Sequence, residues 1–444
     1  MGYLTSVCAR RESRTQGGVM GTRGGRSGAA WTARAAGVLA AAALLTACGS
    51  GGSDDETSGD GDGGTTTLSL WHYYGTPDTP TGAALQNLLD RYEDEHEGVT
   101  IEPRHIPFGD FTRTLLQSAA GGDLPDIALI NGFTTQALAD AGVIQDLSDR
   151  VEEWGEADHY FETGWETTQV DGATYAVPHV ADAYAVYYNE TMLTEAGLQP
   201  PTTWADMQEY ATQLSDGQRY GLAFSGIEGD EGATALVIRL LAAGGDPADI
   251  DSEAGAVALG QFTDMIAGGA VSNGVLTWNE EDVKNQFANG QAAMMINSAT
   301  YLSILAEENP ELQWNVALLP TDVQAATFLS QENLAISTTT EKADAAWDVI
   351  AWMQRPEVLA EYLPERNKLA ARDDVDTGDD PVRAIFAEQL QQAWAPEGDL
   401  AAASSEVLTR IQGALQAAAG GGASVADALA DAQGQIDEAL ANVE

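Results

Sequence analysis

The chain has 444 residues, of which 68 are acidic and 20 basic, and its formal net charge at pH 7 is −48. A surface this acidic repels phosphate backbones, so we expect no nucleic-acid partner; the charge fits solubility outside the cell or attraction of a cationic ligand. The length exceeds what one core usually supports, which predicts two domains, and two cysteines leave little scope for a disulfide framework.

The first 47 residues are typical of a secretory signal. Arg23, Arg26 and Arg34 lie ahead of an apolar, Ala-rich stretch over 35–47. This stretch ends in the run Leu45-Thr46-Ala47-Cys48. About 13 residues are too few to span a bilayer as a helix, for which ~20 are needed. We expect cleavage before Cys48, a lipid on its thiol and tethering to the outer face of the cytoplasmic membrane. The alternative is an ordinary signal peptide with an incidental cysteine. Translation is expected to begin near Met20.

Residues 48–67 are predicted to form a disordered tether. Between Gly49 and Thr67 the sequence contains Gly, Ser, Asp, Glu and Thr and no apolar residue. Such a segment cannot bury enough apolar surface to fold.

From Thr67 onward, short apolar stretches alternate with helical patterns. Strands are predicted at 68–71, 99–106, 126–130, 175–177, 186–188, 294–297, 314–318 and 334–337. Helices are predicted at 83–96, 111–120, 204–214, 233–243, 256–266, 280–288 and 343–354, with a helical tail after 380. Strands separated by helices predict an α/β fold with a largely parallel sheet.

Six short motifs occur in a characteristic order along this part of the chain. They are residues 121–127, 175–178 followed by 187–189, 195–198 followed by 200–204, 287–296, 363–366 and 425–429. In this order, behind a predicted lipidated cysteine, they make the chain resemble the sugar-type extracellular solute-binding proteins of ABC importers. The resemblance covers essentially everything after Thr67.

The resemblance implies a two-lobed periplasmic-binding-protein fold, the Venus-flytrap arrangement, with crossover strands between the lobes. Lobe one is expected to be 68–178 plus 332–370, and lobe two 179–331 plus 371–444. The chain is expected to cross near 177–182, near 328–332 and after Leu369. The implied function is capture of a sugar or oligosaccharide in the interlobe cleft by a monomer, and its delivery to ABC permease subunits.

Ligands of open α/β sheets bind at the carboxyl ends of strands, which selects particular loops. A sugar needs flat aromatic rings against its C–H faces and carboxylates, amides or arginines for its hydroxyls. The candidate ligand-binding residues are Tyr73, Tyr74, Thr76, Asn131, Phe133, Asp182, Tyr184, Trp278, Asn297, Tyr301, Gln331, Glu332 and Arg366. The resemblance implies ligand contact for Tyr73, Asp182 and Asn297.

Two other functions stay open at this stage. A secreted glycoside hydrolase could use Asp182 and Glu332 as acid and nucleophile. A binding protein of the same fold could instead take a cationic solute such as a polyamine or a peptide. The sequence has no nucleophile elbow, zinc-protease motif or phosphate loop, and its five histidines are scattered, so no enzyme activity, metal or cofactor is expected.

Overall fold

A computed structural model of the chain describes residues 65–376 and 378–443. The predicted signal, the predicted lipidation site at Cys48 and almost all of the predicted tether lie outside these residues. Within the described part, every helix is too short or too polar to cross a bilayer.

The described chain contains strands and helices in alternation. The strands are β1 (Thr66–His72), β2 (Val99–His105), β3 (Ile127–Asn131), β4 (Gln169–Val170), β5 (Ala173–Thr174), β6 (Val177–Asp182), β7 (Tyr184–Asn189), β8 (Tyr220–Ala223), β9 (Ala292–Ser298), β10 (Trp314–Ala317), β11 (Thr327–Phe328), β12 (Ser330–Ile336) and β13 (Ala393–Trp394).

The helices are α1 (Pro80–Glu95), α2 (Phe108–Gly121), α3 (Thr135–Asp140), α4 (Ser148–Trp154), α5 (Glu162–Glu166), α6 (Glu190–Ala196), α7 (Trp204–Leu214), α8 (Thr234–Ala242), α9 (Glu253–Ala267), α10 (Glu280–Ala288), α11 (Tyr301–Glu308), α12 (Ala343–Met353), α13 (Pro356–Arg366), α14 (Pro381–Leu390), α15 (Gly398–Ala402), α16 (Ser404–Ala419) and α17 (Val425–Ala441).

Two main sheets organise these elements. The first has the order β2-β1-β3-β12-β6, in which β1, β2 and β3 are parallel and β12 is antiparallel to both β3 and β6. The second has the order β10-β7-β9-β8, with β8 and β9 parallel and β7 antiparallel to β9. The chain therefore has the α/β architecture that the sequence predicts, but its sheets are mixed rather than largely parallel, because β7 and β12 run antiparallel to their neighbours.

The chain passes directly from one main sheet to the other at one point, and it enters the first sheet from the two-stranded β11–β13 sheet at another. Strand β6 ends at Asp182 in the first sheet, and β7 begins at Tyr184 in the second. Strand β12 returns to the first sheet immediately after β11. Because β6 pairs with β12 as far as Asp182, the first sheet extends beyond the predicted boundary at 178.

Helices cover both sheets with apolar residues. In the first lobe, Leu85, Leu88 and Leu89 of α1 are buried with strand residues of β1 and with α12 and α13. In the second, α7, α8 and α9 share a core that includes Trp204 and Phe262. Trp204 is therefore a core residue.

Local sequence signals fix the best-predicted helices. The bounds of α7 and α10 match the predicted ranges. The Thr203 hydroxyl caps α7 by accepting a hydrogen bond from the Asp206 amide at 3.0 Å. The Asp206 carboxylate in turn accepts a hydrogen bond from the Thr203 amide at 3.0 Å. This capping box satisfies two amide groups that the first helical turn leaves without partners.

Replacing Thr203 by alanine should lower the free energy of unfolding by about 1 kcal/mol, because the cap of α7 is lost. Urea denaturation followed by circular dichroism measures the change. The matched control is Thr212→Ala on the exposed side of the same helix, where the hydroxyl bonds only a carbonyl of its own helix. Equal losses for the two variants would contradict the role given to the cap.

Candidate ligand-binding site

The polar ends of the two sheets meet at the crossing segments. In the first sheet, Tyr74 follows β1, Asp182 ends β6, and Glu332 lies near the start of the antiparallel β12. In the second sheet, Tyr184 begins β7 and Ser225 follows β8. These are the strand ends where open α/β sheets bind ligands.

Asp182 connects three segments of the chain. Its Oδ1 accepts hydrogen bonds from the amides of Ala183 and Ala299, both at 2.9 Å. Its Oδ2 accepts from the Thr300 hydroxyl at 2.8 Å and from the Lys368 ammonium at 2.9 Å. A carboxylate offers about four acceptor positions, and all of them are used here. These contacts lie at the junction of the two sheets, which we call the hinge; that Asp182 binds the ligand stays a prediction.

Lys368 reaches the hinge because of the end of α13. Asn367 adopts the left-handed conformation with φ 53°, which ends the helix and turns the chain. Lys368 Nζ then lies 2.9 Å from Asp182 Oδ2 and 3.0 Å from the Thr300 hydroxyl. Burial alone would lower the pKa of Lys368, but Asp182 and Glu332 raise it above its usual value, so the ammonium stays charged.

Lobe one presents a buried cluster of Tyr74, Glu332 and Arg366. The Tyr74 hydroxyl donates a hydrogen bond to Glu332 Oε2, and Arg366 Nη2 lies 3.4 Å from the same oxygen. The Arg366 guanidinium carbon lies 3.5 Å from the centroid of the Tyr74 ring. Burial and the Glu332 charge raise the pKa of Tyr74 well above its usual value. These contacts immobilise the predicted residues against one another.

Two histidines surround this cluster in their neutral form. Burial, followed by the charge of Arg366, lowers the pKa of His179 to about 3. Burial, His105 and Arg366 lower the pKa of His72 to about 4. Arg366 is therefore the charged base on this side of the site at neutral pH.

Lobe two presents two adjacent carboxylates. The Tyr184 hydroxyl donates to Glu280, and the Glu280 backbone amide donates to Glu231 Oε1 at 2.8 Å. The Ser225 hydroxyl also donates to Glu231 Oε1, at 2.9 Å. Burial and the neighbouring Glu231 charge raise the pKa of Glu280 to about 7. The tight loop that contains Glu231 requires glycine at 232, where a Cβ would lie 1.9 Å from the Ile227 carbonyl oxygen.

Two aromatic residues predicted for the site lie on segments near these carboxylates. Burial, followed by the charges of Glu280 and Glu231, raises the pKa of the half-buried Tyr301. Trp278 is half-buried against both large hydrophobic clusters, and its backbone carbonyl oxygen accepts a hydrogen bond from the Ser225 hydroxyl at 3.0 Å.

Other predicted residues are placed differently. Asn297 donates to the Glu280 carbonyl at 3.0 Å and accepts from the Ser298 amide at 2.9 Å, so it supports α10. The Gln331 amide nitrogen donates to Gly164 and Thr167 within lobe one, each at 2.8 Å. The nitrogens of both amides are engaged in protein contacts, and ligand binding by Asn297 and Gln331 stays a prediction.

The four remaining candidates lie around the first-lobe strand ends. Asn131 accepts from the Phe133 amide at 3.3 Å, and Phe133 packs edge-on against Phe328 with ring centroids 6.4 Å apart. Tyr73 packs edge-on against Tyr74, Phe108 and Phe111, with its hydroxyl buried. Thr76 is exposed in the turn before α1 and bonds Asp78. None of the four contacts the paired carboxylates or the Asp182 hinge.

Sequence reasoning missed Glu231, Glu280 and Lys368. Glu231 lies in the Gly-rich loop 226–232, and the acidic residues of this loop were the signal that could have pointed to it. Glu280 begins α10, directly after its N-cap residue. Lys368 follows the 363–366 motif. In each case the partner lies far along the chain, so local patterns contain no sign of the contact.

One group of described side chains has the spacing of a metal site, namely Glu156, His159 and Asp374. The Arg372 guanidinium lies among them and donates to Glu156 and Asp374, with closest distances of 2.7 and 2.5 Å. The group is therefore an ion-pair network whose cation is supplied by the protein.

Comparison with known proteins agrees with this geometry. The family described as "Bacterial extracellular solute-binding protein" matches residues 76–360, more than half of the chain. The chain belongs to this family. It is 27% identical over 176 residues to the sn-glycerol-3-phosphate-binding periplasmic protein UgpB of Shigella dysenteriae, covering 37% of this chain and 39% of that protein.

Solved structures of the family share the fold. The solute-binding protein of Thermotoga lettingae, crystallised with α-D-tagatose, has a TM-score of 0.76 at 23% identity, covering 85% of this chain and all of the other. The GacH receptor of Streptomyces glaucescens, crystallised with and without acarbose, has a TM-score of 0.75 at 21% identity, covering 85% of this chain and 99% of the other. The family binds sugars and related solutes for ABC transporters.

Replacing Asp182 by asparagine should lower the free energy of unfolding by about 3–5 kcal/mol, because Lys368 is left buried without its charge partner. The double variant with Lys368→Met should lose less than the two single variants together, since no charge is then left unpaired. Chemical denaturation of all three measures the coupling.

The control for this cycle is Asp344→Asn, which removes an ion pair of Arg150 in which Asp344 is 94% exposed. Exposed pairs contribute about 0–1 kcal/mol. If the effects of Asp182→Asn and Lys368→Met simply add, the two residues do not act as a buried pair.

Proposed function

We propose that this protein captures a sugar or oligosaccharide between its two lobes and delivers it to the permease subunits of an ABC importer. The observation that carries the proposal is the arrangement of Tyr184, Tyr301, Glu231 and Glu280 on lobe two beside the Asp182–Lys368 hinge. The aromatic rings suit the C–H faces of a sugar, and the carboxylates suit its hydroxyls. Sugar-bound neighbours of the same fold support the same substrate class.

The arrangement of charges disfavours the glycoside hydrolase alternative. Such an enzyme needs one carboxylic acid and one carboxylate free to act on the glycosidic bond. Asp182 is bound by Lys368, and Glu332 is bound by Arg366 and Tyr74. Incubation of the protein with oligosaccharides should therefore leave them intact, and released product would contradict the proposal.

A thermal-shift screen against a carbohydrate panel tests the binding function. A ligand that binds only the folded protein raises its melting temperature. At a ligand concentration of 100 times Kd, the free energy of unfolding increases by about 2.7 kcal/mol. Tyr301→Ala should weaken the binding of a ligand found in this way about ten-fold, because an aromatic wall is removed. The control is Tyr220→Ala, at the opposite end of the second sheet. Equal effects of the two changes would contradict the location of the site.

The proposal includes anchoring through a lipid on Cys48, at the outer face of the cytoplasmic membrane. The lipid would keep the binding domain within reach of the permease through the 48–67 segment. Cys48→Ser should release the protein into the medium, because one signal-directed lipid site is lost. Fractionation of cells followed by immunoblotting measures the release. Retention of the variant in the membrane fraction would contradict lipid anchoring.

A further inference from the structure

A cavity of about 240 Å³ lies next to the hinge, on the other face of β6 and β12 from Asp182. Its walls include Ala181 of β6 and Gln331 of β12, which are paired across the two strands. Successive residues of a strand point to opposite faces, so Asp182 and Glu332, each the next residue along its strand, point away from the cavity. The cavity is therefore separate from the clusters around these two carboxylates.

Segments from both sides of the hinge form the cavity. On one side α5 packs against β6 of the first sheet, and on the other α14 packs against β7 of the second. The amide of Leu329, between β11 and β12, donates to the Trp394 carbonyl at 2.8 Å, and the Phe161 amide donates to the Ala371 carbonyl at 3.1 Å. Leu329, Phe161 and Ala371 all line the cavity, as does Leu390 at the end of α14. These backbone bonds hold the walls in place, so the cavity is preformed.

The Gln331 side chain has one buried oxygen without a hydrogen-bond donor. Its Nε2 donates to the Gly164 carbonyl and to Asn333 Oδ1, each at 2.8 Å, and lies 2.8 Å from the Thr167 hydroxyl. Because carbonyl oxygens only accept, turning the amide round would place oxygen against oxygen. Gln331 is 2% exposed, and among the described residues none donates to its Oε1. A buried acceptor in this state is unfavourable, and a ligand that donates would relieve it.

Glycine at 164 keeps the wall beside this oxygen free of a side chain. Gly164 lines the cavity together with Gln331, and a Cβ at this position would lie 2.5 Å from Gln331 Oε1. Any other residue would therefore cover the oxygen from the side of α5. The unpaired acceptor and the space next to it occur together in one wall.

The remaining walls define the chemistry of an occupant. Ala181, Leu329 and Leu390 are buried and apolar, and the Phe161 ring is half-buried. The charged residue among the described walls, Glu162, is exposed at the rim. Burial of a charged group between such walls is costly, which favours a neutral occupant. An apolar cavity of about 150 Å³ can hold benzene, so this one has room for a single ring with a small substituent.

We propose that this cavity is a second binding site, for a neutral single-ring molecule with one hydroxyl or N–H group that donates to Gln331 Oε1. The site goes beyond the sugar capture proposed above and does not depend on it. The ring would pack against the apolar walls, and its donor would satisfy the buried acceptor. Since both sides of the hinge supply walls, an occupant favours the arrangement of the hinge described here.

Phenol and toluene test the inference, because they are similar in size and differ in the donor. Ligand-observed NMR titration measures the affinity of each. In an apolar cavity without an acceptor, phenol binds more weakly than toluene, because it gives up hydrogen bonds to water. Here phenol should bind about three-fold or more tightly than toluene, because it donates to Gln331 Oε1.

Ala393→Leu tests the location. Ala393 lines the cavity, and a larger side chain there occupies its space, so phenol binding should weaken about ten-fold or more. The control is Ala173→Leu, which should retain the original affinity. Both alanines are half-buried in two-stranded sheets, and Ala173 lies outside the residues that line the cavity. Circular dichroism confirms that each variant is folded.

Gln331→Met tests the acceptor. The thioether has nearly the length of the amide and is a weak acceptor, so toluene should now bind more tightly than phenol. Gln391→Met is the control, because Gln391 also lines the cavity but is exposed. This variant should keep the preference for phenol.

The outcomes separate this inference from the sugar-binding function. Tighter binding of toluene than of phenol by the original protein would overturn the inference and leave sugar capture in place. Phenol binding that is unchanged in Ala393→Leu would show an adventitious additive only, and would overturn the cavity as the site. A preference for phenol that persists in Gln331→Met would overturn the role of Oε1. Failure of every sugar in the thermal-shift screen would contradict sugar capture and leave the cavity site standing.

Discussion

The burial of Asp182 is the constraint on which the hinge depends. A buried carboxylate is costly unless charge and hydrogen bonds compensate it, and loss of one partner leaves the remaining charge strongly unfavourable. Here the compensation comes from Ala299 and Thr300 after β9 and from Lys368 after α13. The carboxylate is satisfied only when all three segments are in place. The relative position of the sheet ends is thereby tied to one ion pair.

The two sides of the site differ in how their charges are compensated. On lobe one, Glu332 has both a guanidinium and a phenol as partners, and the resulting cluster is buried. On lobe two, Glu280 and Glu231 have only neutral donors and repel each other. Lobe one therefore provides a fixed surface, whereas the charge of Glu280 on lobe two is balanced less completely. Unfavourable local arrangements of this kind are typical of functional positions.

Helices with strong local signals could be predicted from the sequence, and the site chemistry only in part. Thr203 and the apolar spacing of α7 fix that helix without help from the rest of the chain. The strand-end rule selects the region of Tyr184 and Tyr301, but it could not tell that Asn297 holds the backbone of α10. Tyr184 and Glu280 are 96 residues apart, and Asp182 and Lys368 are 186 apart. Such contacts depend on the tertiary fold, which cannot be predicted from local periodicity.

The charge of the whole chain and the charge of the site have different physical reach. At physiological ionic strength the Debye length is about 8 Å, so most of the surface acids are screened from a ligand in the cleft. The net charge of −48 therefore contributes to solubility and to the approach of solutes more than to their selection. Selection depends on the groups that are partly desolvated and close together, because screening is weakest where water is excluded.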